Sequence, residues 1–205
     1  MSKQKKLCNL ILIDESGSMY NRKTDVIGGL QSLFSDIENT KNVFQHTIVC
    51  SFSNDFKILT NTVGKLNTDV VEKYSPNGGT ALFDAIQKAF SLVPTGFDGV
   101  YVNILTDGEE NASKTVKFAD VKKLISEAKE NKWGVTFSGC DENALETAKS
   151  LGIMNLDSFT NDAKGFSGMS LNRTRSRTSY FASVETGDIQ TEGLFNTTTN
   201  VSNKG

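Results

Sequence analysis

The sequence predicts an α/β domain: a doubly wound, mostly parallel sheet of six strands with one antiparallel edge strand and helices on both faces. Three observations predict it. Nearly continuous apolar runs recur along the 205 residues, as strands buried on both faces of a parallel sheet require, and the first of them reads LCNLILI from Leu7 to Ile13. Between these runs the apolar residues fall at helical spacing. After Phe52 a polar turn, Ser53-Asn54-Asp55, leads straight into a second apolar run, FKILTNTV, which is how a hairpin places one antiparallel strand at a sheet edge.

The elements follow in order. A strand at 7–13 precedes a helix over 20–37, whose stripe is Ile27, Leu30, Phe34 and Ile37. Strands at 44–52 and 55–63 form the hairpin, and a short helix is expected near 68–73. The next helix, 80–92, carries Leu82, Ala85, Ile86, Ala89 and Phe90 on one face. A strand at 99–105 is followed by a helix over 115–131 with Val121, Leu124, Ile125 and Ala128 in register. Then come a strand at 133–138, a helix at 142–150, a weak strand at 153–159 and a last helix at 162–182. Residues 1–185 make one domain, which is enough chain for a full core. Beyond Glu185 the chain reads TGDIQTEGLFNTTTNVSNKG, too poor in apolar groups to offset its ordering entropy, so 186–205 is expected to be a disordered tail.

Composition excludes several classes. With 22 Lys+Arg against 24 Asp+Glu the net charge is −2, so nothing drives the chain toward nucleic acid or an anionic membrane. The apolar run at 7–13 is interrupted by Asn9 and stopped by Asp14, too short and too polar for a signal sequence or a membrane span. Cys8, Cys50 and Cys140 are widely spaced and form no CxxC pair. An odd set of cysteines in apolar segments fits reduced thiols and a cytoplasmic location.

In an open α/β sheet the ligand site gathers at the carboxyl ends of the strands. After the first strand stands Asp14-Glu15-Ser16-Gly17-Ser18-Met19, ahead of the 80–92 helix stands Asn77-Gly78-Gly79-Thr80, and after the 99–105 strand stands Thr106-Asp107-Gly108-Glu109-Glu110. Hydroxyl and carboxylate oxygens suit a hard divalent cation: Mg²⁺ first, Mn²⁺ or Ca²⁺ less tightly. Zinc has no ligand set, since the sole histidine, His46, stands apart in a strand and the cysteines are scattered. Serines two apart turn the same way just past a strand, so Ser16 and Ser18 can reach one ion while Gly17 permits the tight loop.

ILIDESGSM resembles the D-x-S-x-S motif of the metal-ion-dependent adhesion site in von Willebrand factor A domains, Gly78-Gly79-Thr80 resembles that family's threonine loop, and LTDGEE its T-D-G loop. The three parts occur in family order over roughly residues 5–160, with the likeness directed at stand-alone bacterial and phage proteins of the tellurite-resistance type. The resemblance implies Ser16, Ser18 and Thr80 as hydroxyl ligands, with Asp14 and Asp107 close to the ion and partly acting through water. It gives Glu15 no role in coordination. It further implies a non-enzymatic module in which an Asp or Glu of another protein fills the ion's open position.

Each motif also has a plainer reading. DESGSM can be an N-cap and turn, Thr80 a cap for the helix it precedes, and Asp107-Gly108 a β-turn. Glu109 and Glu110 can solvate a helix entrance or face the metal. An Mg²⁺-dependent phosphohydrolase of the haloacid-dehalogenase type would use Asp14 as nucleophile, but it needs a carboxylate where this chain has Ser16. No GxxxxGK[ST], GxGxxG or GxSxG occurs, which removes the nucleotide-binding and serine-hydrolase readings. Arg173, Arg175 and Arg177, spaced by two on the last helix, are expected on a solvated surface.

Overall fold

The computed structural model describes residues 4–41, 43–66, 68–160 and 162–195. Its strands are β1 (Lys6–Asp14), β2 (Phe44–Phe52), β3 (Phe56–Val63), β4 (Gly99–Thr106), β5 (Gly134–Gly139) and β6 (Asn155–Ser158). Its helices are α1 (Lys23–Asn39), α2 (Leu82–Ser91), α3 (Phe118–Glu130), α4 (Glu142–Ser150) and α5 (Ala163–Thr186), with short 3-10 helices at Gly17–Arg22 and Thr68–Lys73. The strands form one sheet in the order β3-β2-β1-β4-β5-β6, parallel except for the antiparallel β2/β3 hairpin. Between β1 and β4 the winding direction reverses. Ile13 lies beside Leu105 in register, so the loops after these two strands leave from neighbouring strand ends, at the crevice where such sheets place ligands.

Alternation along the strands splits the core in two. Leu10, Leu12, Val102, Ile104 and Phe137 face α2, α3 and α4, while Ile11, Ile13 and Val49 face α1 and the start of α5. Helix α2 shows what holds these helices. Ten residues are too few to be stable alone, but Leu82, Ala85, Ile86, Ala89 and Phe90 are all buried. Each large apolar side chain so buried stabilises by about 1.5–3 kcal/mol, more than intrinsic propensities differ, so packing decides. Caps fix other ends. Asp141 accepts from the N–H groups of Asn143 and Ala144 to start α4, and Asp162 accepts from Gly165 to start α5, which stops at Gly187 with φ 85°.

The second half of α5 lies close to the sheet because two strands begin with glycine. A Cβ at Gly134 would stand 2.6 Å from the Tyr180 ring, and one at Gly99 would stand 2.7 Å from Val184. Among the described residues no helix is long and apolar enough to cross a membrane.

Two expectations need correction. Of the three arginines only Arg175 is exposed; Arg173 and Arg177 are each 1% exposed. They are four residues apart and so share one helical face, which lies against a polar stretch of sheet. Arg177 Nε donates to Asn9 Oδ1 (2.8 Å), Nη1 to Asp36 Oδ2 (2.7 Å) and Nη2 to Gln45 Oε1 (2.5 Å), while Arg173 Nη2 donates to the Gly29 carbonyl (2.5 Å). The Asn9 that interrupts the first apolar run is thus the partner of an arginine 168 positions away.

The other correction concerns the stretch after Glu185, expected to be disordered. Residues 187–195 follow α5 back onto the fold. Leu194 is 1% exposed beside Tyr180 and Phe181, its N–H donates to Asn155 Oδ1 (3.0 Å), and Asn155 Nδ2 donates to the Thr191 carbonyl (2.7 Å). Ile189 packs against the same cluster, Gln190 N–H donates to Ser183 Oγ (3.0 Å) and Glu192 pairs with Lys129 (2.8 Å), so a few placed contacts dock a stretch whose composition is otherwise polar. Residues 196–205 lie outside the described residues.

Candidate functional site

Asp14 closes β1 and is fully buried. Its Oδ1 accepts from the Ser16 N–H (2.7 Å) and its Oδ2 from the Thr106 hydroxyl (2.5 Å), so the end of β4 clamps the end of β1. The chain then turns outward. Ser16 Oγ lies 3.0 Å from Ser18 Oγ, and Ser18 Oγ donates to Asp107 Oδ1 (2.6 Å). Since Ser18 has one hydroxyl proton and gives it to Asp107, Ser16 is the donor to Ser18. Ser16, at 2% exposure, and Asp107, at 8%, form the floor, with Ser18 exposed above them.

Thr80 comes in from a different loop and is 3% exposed. Its Oγ1 stands 3.9 Å from where a Cβ on Gly108 would lie, which sets it against the loop after β4. The loop is clasped by backbone bonds: Gly17 N–H donates to the Gly78 carbonyl (2.9 Å), and Ala81 N–H to the Ser53 carbonyl (2.9 Å). Gly78 takes φ 76°, a conformation that favours glycine, and a Cβ on Gly79 would meet Asn111 Oδ1 at 2.8 Å and Asn54 Oδ1 at 3.0 Å. Those amides hold the loop in place, Asn54 Oδ1 accepting from Gly79 N–H and Asn111 Oδ1 from Thr80 N–H, both at 2.9 Å.

The plain capping readings do not hold here. Ser16 occupies an N-cap position without a side-chain cap bond, and the cap position of α2 is Ala81, not Thr80. The α2 N-terminus is served instead by Glu110, whose carboxylate accepts from Phe83 N–H (2.9 Å), Ala112 N–H (2.9 Å), Ser113 N–H (2.7 Å) and the Ser113 hydroxyl (2.7 Å). Glu109 accepts from Asn143 Nδ2 (2.5 Å). Both glutamates therefore bind away from the hydroxyl cluster. His46, bonded to Asn61 (2.6 Å), belongs to β2 and takes no part.

Electrostatically the cluster concentrates buried negative charge. Burial pushes the Asp14 carboxyl up to about 6, against the lowering hydrogen bonds from Thr106 and Ser16, and burial also raises Asp107 despite its bond from Ser18. Tyr74, whose hydroxyl donates to the Asp14 carbonyl (2.7 Å), has its phenol pushed up by burial and then by Asp14, Glu15 and Asp107. Among the described residues no three His, Cys, Asp or Glu come together to hold a metal. The oxygens available here are two carboxylates and three hydroxyls, a hard and mostly neutral donor set that fits Mg²⁺ better than zinc.

Sequence reasoning missed the residues that support this cluster. Thr106 stands inside the LTDGEE motif and was given no role of its own. Glu15, 1% exposed, accepts from the Ser51 hydroxyl (2.6 Å), the Ser75 N–H and Lys57 Nζ (3.1 Å), tying the β1 loop to β2, β3 and the segment before Gly78. A charged residue wedged between an apolar strand and the Ser-x-Ser pair was the available signal.

No protein-family profile matches the sequence, and no curated protein does. Solved structures do match in fold. They include the PilB minor pilin of Streptococcus sanguinis (TM-score 0.67, 11% identity, 89% of this chain and 64% of that one). A von Willebrand factor type A protein of Catenulispora acidiphila matches at TM-score 0.57 and 18% identity, over 83% of this chain and 43% of that one. The von Willebrand domain of the type V pili tip protein Mfa5 of Porphyromonas gingivalis matches at TM-score 0.59 and 12% identity, over 83% and 95%. The chain thus spans 64% and 43% of the first two proteins. The α/β sheet with its hairpin edge is the von Willebrand factor A-type fold.

Proposed function

We propose that this chain is a protein-interaction module that holds one divalent cation, Mg²⁺, on the hydroxyls of Ser16, Ser18 and Thr80, with Asp14 and Asp107 beside it. The observation that carries the reading is the Ser16–Ser18–Asp107 chain of 3.0 and 2.6 Å bonds at the β1/β4 crevice, next to the buried Asp14. A cation there would offset the charge of two carboxylates that burial disfavours and, held largely by neutral hydroxyls, would keep the capacity to accept an Asp or Glu from a partner protein. Thr106 and Ser16 hold Asp14, and Asn111 holds the Thr80 backbone, so the donors are positioned before any ligand arrives.

Asp14 as the nucleophile of a phosphohydrolase fits poorly, because it is buried and both of its oxygens already accept hydrogen bonds. A non-enzymatic module accords with the pilus-tip domain it is similar to. The three free cysteines, two of them buried, accord with the cytoplasmic setting included in this reading. The test is capture of partner proteins from a native lysate in Mg²⁺ and in EDTA, with wild type and Thr80→Ala. Capture should need Mg²⁺ and fall away in the variant; equal capture in all four arms means the interaction surface lies elsewhere.

A further inference from the structure

A groove of about 730 Å³ opens beside the loop after β4, between the starts of α2 and α3 and the outer face of α4. Phe83 and Phe118 meet in it edge to face, centroids 6.1 Å apart at 73°, and Phe118 is 37% exposed. Glu109, Glu110 and Glu146 supply its charge, and among the described residues no lysine or arginine lines it, Lys149 standing at its rim beside Glu146. Glu110 is fully engaged by its four bonds. Among the described residues Glu109 accepts from Asn143, and Glu146 has Lys149 at 3.8 Å across an exposed i,i+3 pair, an arrangement worth little in water. A carboxylate has about four acceptor positions, so both retain most of theirs.

We infer that this groove receives a lysine or arginine side chain of the partner protein. The charge excludes an acidic occupant. A metal ion is disfavoured too, because the three glutamates do not converge within reach of one ion. Carboxylates spread around an exposed aromatic ring suit an extended cation, which stacks its charge over the ring and donates to the acids at its rim. The inference rests on the interaction reading above in one respect, that the partner also brings an acidic residue to the hydroxyl cluster. Glu109 is two residues from Asp107, a Cα separation of at most about 7.6 Å. One extended segment, advancing about 3.3 Å per residue, spans that backbone separation in about two to three positions.

The test is titration of the ¹⁵N-labelled protein with Nα-acetyl-arginine methylamide, followed by amide chemical shifts, in Mg²⁺ and again in EDTA. Amides of Glu109, Phe118, Asn143 and Thr147 should shift saturably in both. Glu109→Gln/Glu146→Gln should weaken the response by at least about tenfold, the loss expected for a charge-assisted hydrogen bond, with the fold intact because both side chains are exposed. Phe118→Ala should weaken it as well. Absence of saturable shifts in the groove, an unchanged response in the double variant, or equal binding of Nα-acetyl-leucine methylamide would overturn the inference. A parallel titration with acetate reports the hydroxyl cluster, where shifts should require Mg²⁺. Failure there counts against the metal reading and leaves the arginine result standing, so the two fail separately.

Discussion

Removing the Arg177 side chain should cost more than any surface substitution on α5, and the structure gives the size. In Arg177→Ala, Asn9 Oδ1 and Asp36 Oδ2 lose their partners at 2.8 and 2.7 Å, and Gln45 Oε1 keeps only Asn9 Nδ2 at 3.2 Å. The Phe181 ring loses the guanidinium 4.5 Å from its centroid. Burial lowers the arginine's pKa while Asp36 holds it charged, so the pair is matched and either half alone is not. Asp36 is itself 26% exposed, so the cost falls mainly on the buried Asn9 and Gln45 acceptors left short of a partner, together about 2–4 kcal/mol. For a domain of this size that is a fall in thermal midpoint of roughly 4–16 °C. Arg175→Ala, two residues along on the exposed face, should stay within about 0.5 kcal/mol of wild type. Calorimetry of the two variants decides it. A midpoint for Arg177→Ala within about 2 °C of wild type would refute the network, because the loss would then be no more than that of a solvated side chain.

Truncation after Gly187 should lower the midpoint by roughly 4–8 °C, since it exposes the Leu194 site and strips Asn155 of two partners, together about 2 kcal/mol or somewhat more. An unchanged midpoint would show that the stretch does not dock in solution. At Asp84, partial burial pushes the carboxyl up, but the N–H groups of Lys114, Val116 and Thr115 and the Thr115 hydroxyl outweigh it and hold it at about 2. A folded-state value below the ordinary one means the contribution is present above about pH 4 and is lost as pH falls toward 2. Thermal midpoints taken across that window should therefore fall less steeply in Asp84→Asn than in wild type; parallel curves would contradict the assignment.

The fold was legible because its signals are local. Apolar runs gave all six strands, and stripes such as Leu82 to Phe90 gave the first three helices, since burial leaves its period in the sequence. Boundaries were less so: the first helix was expected from residue 20, yet a 3-10 helix runs to Arg22 before α1 begins. Asp14, Ser16, Ser18 and Asp107 do come together, as strand ends at one crevice must. What could not be read were partnerships between distant residues. Nothing near Arg177 points to Asn9, the helix-entrance reading of Glu110 did not say which helix it serves, and a spacing of two among arginines hid the four-residue spacing that buries a pair of them.

Direct titration of the purified chain with Mg²⁺ and Mn²⁺, by calorimetry, tests the proposed cation site with no need of a partner. Wild type should bind about one ion, because the loops offer one oxygen cage, and Ser16→Ala/Ser18→Ala should lose that binding with little change in stability in EDTA. Equal binding by wild type and the double variant would contradict the site.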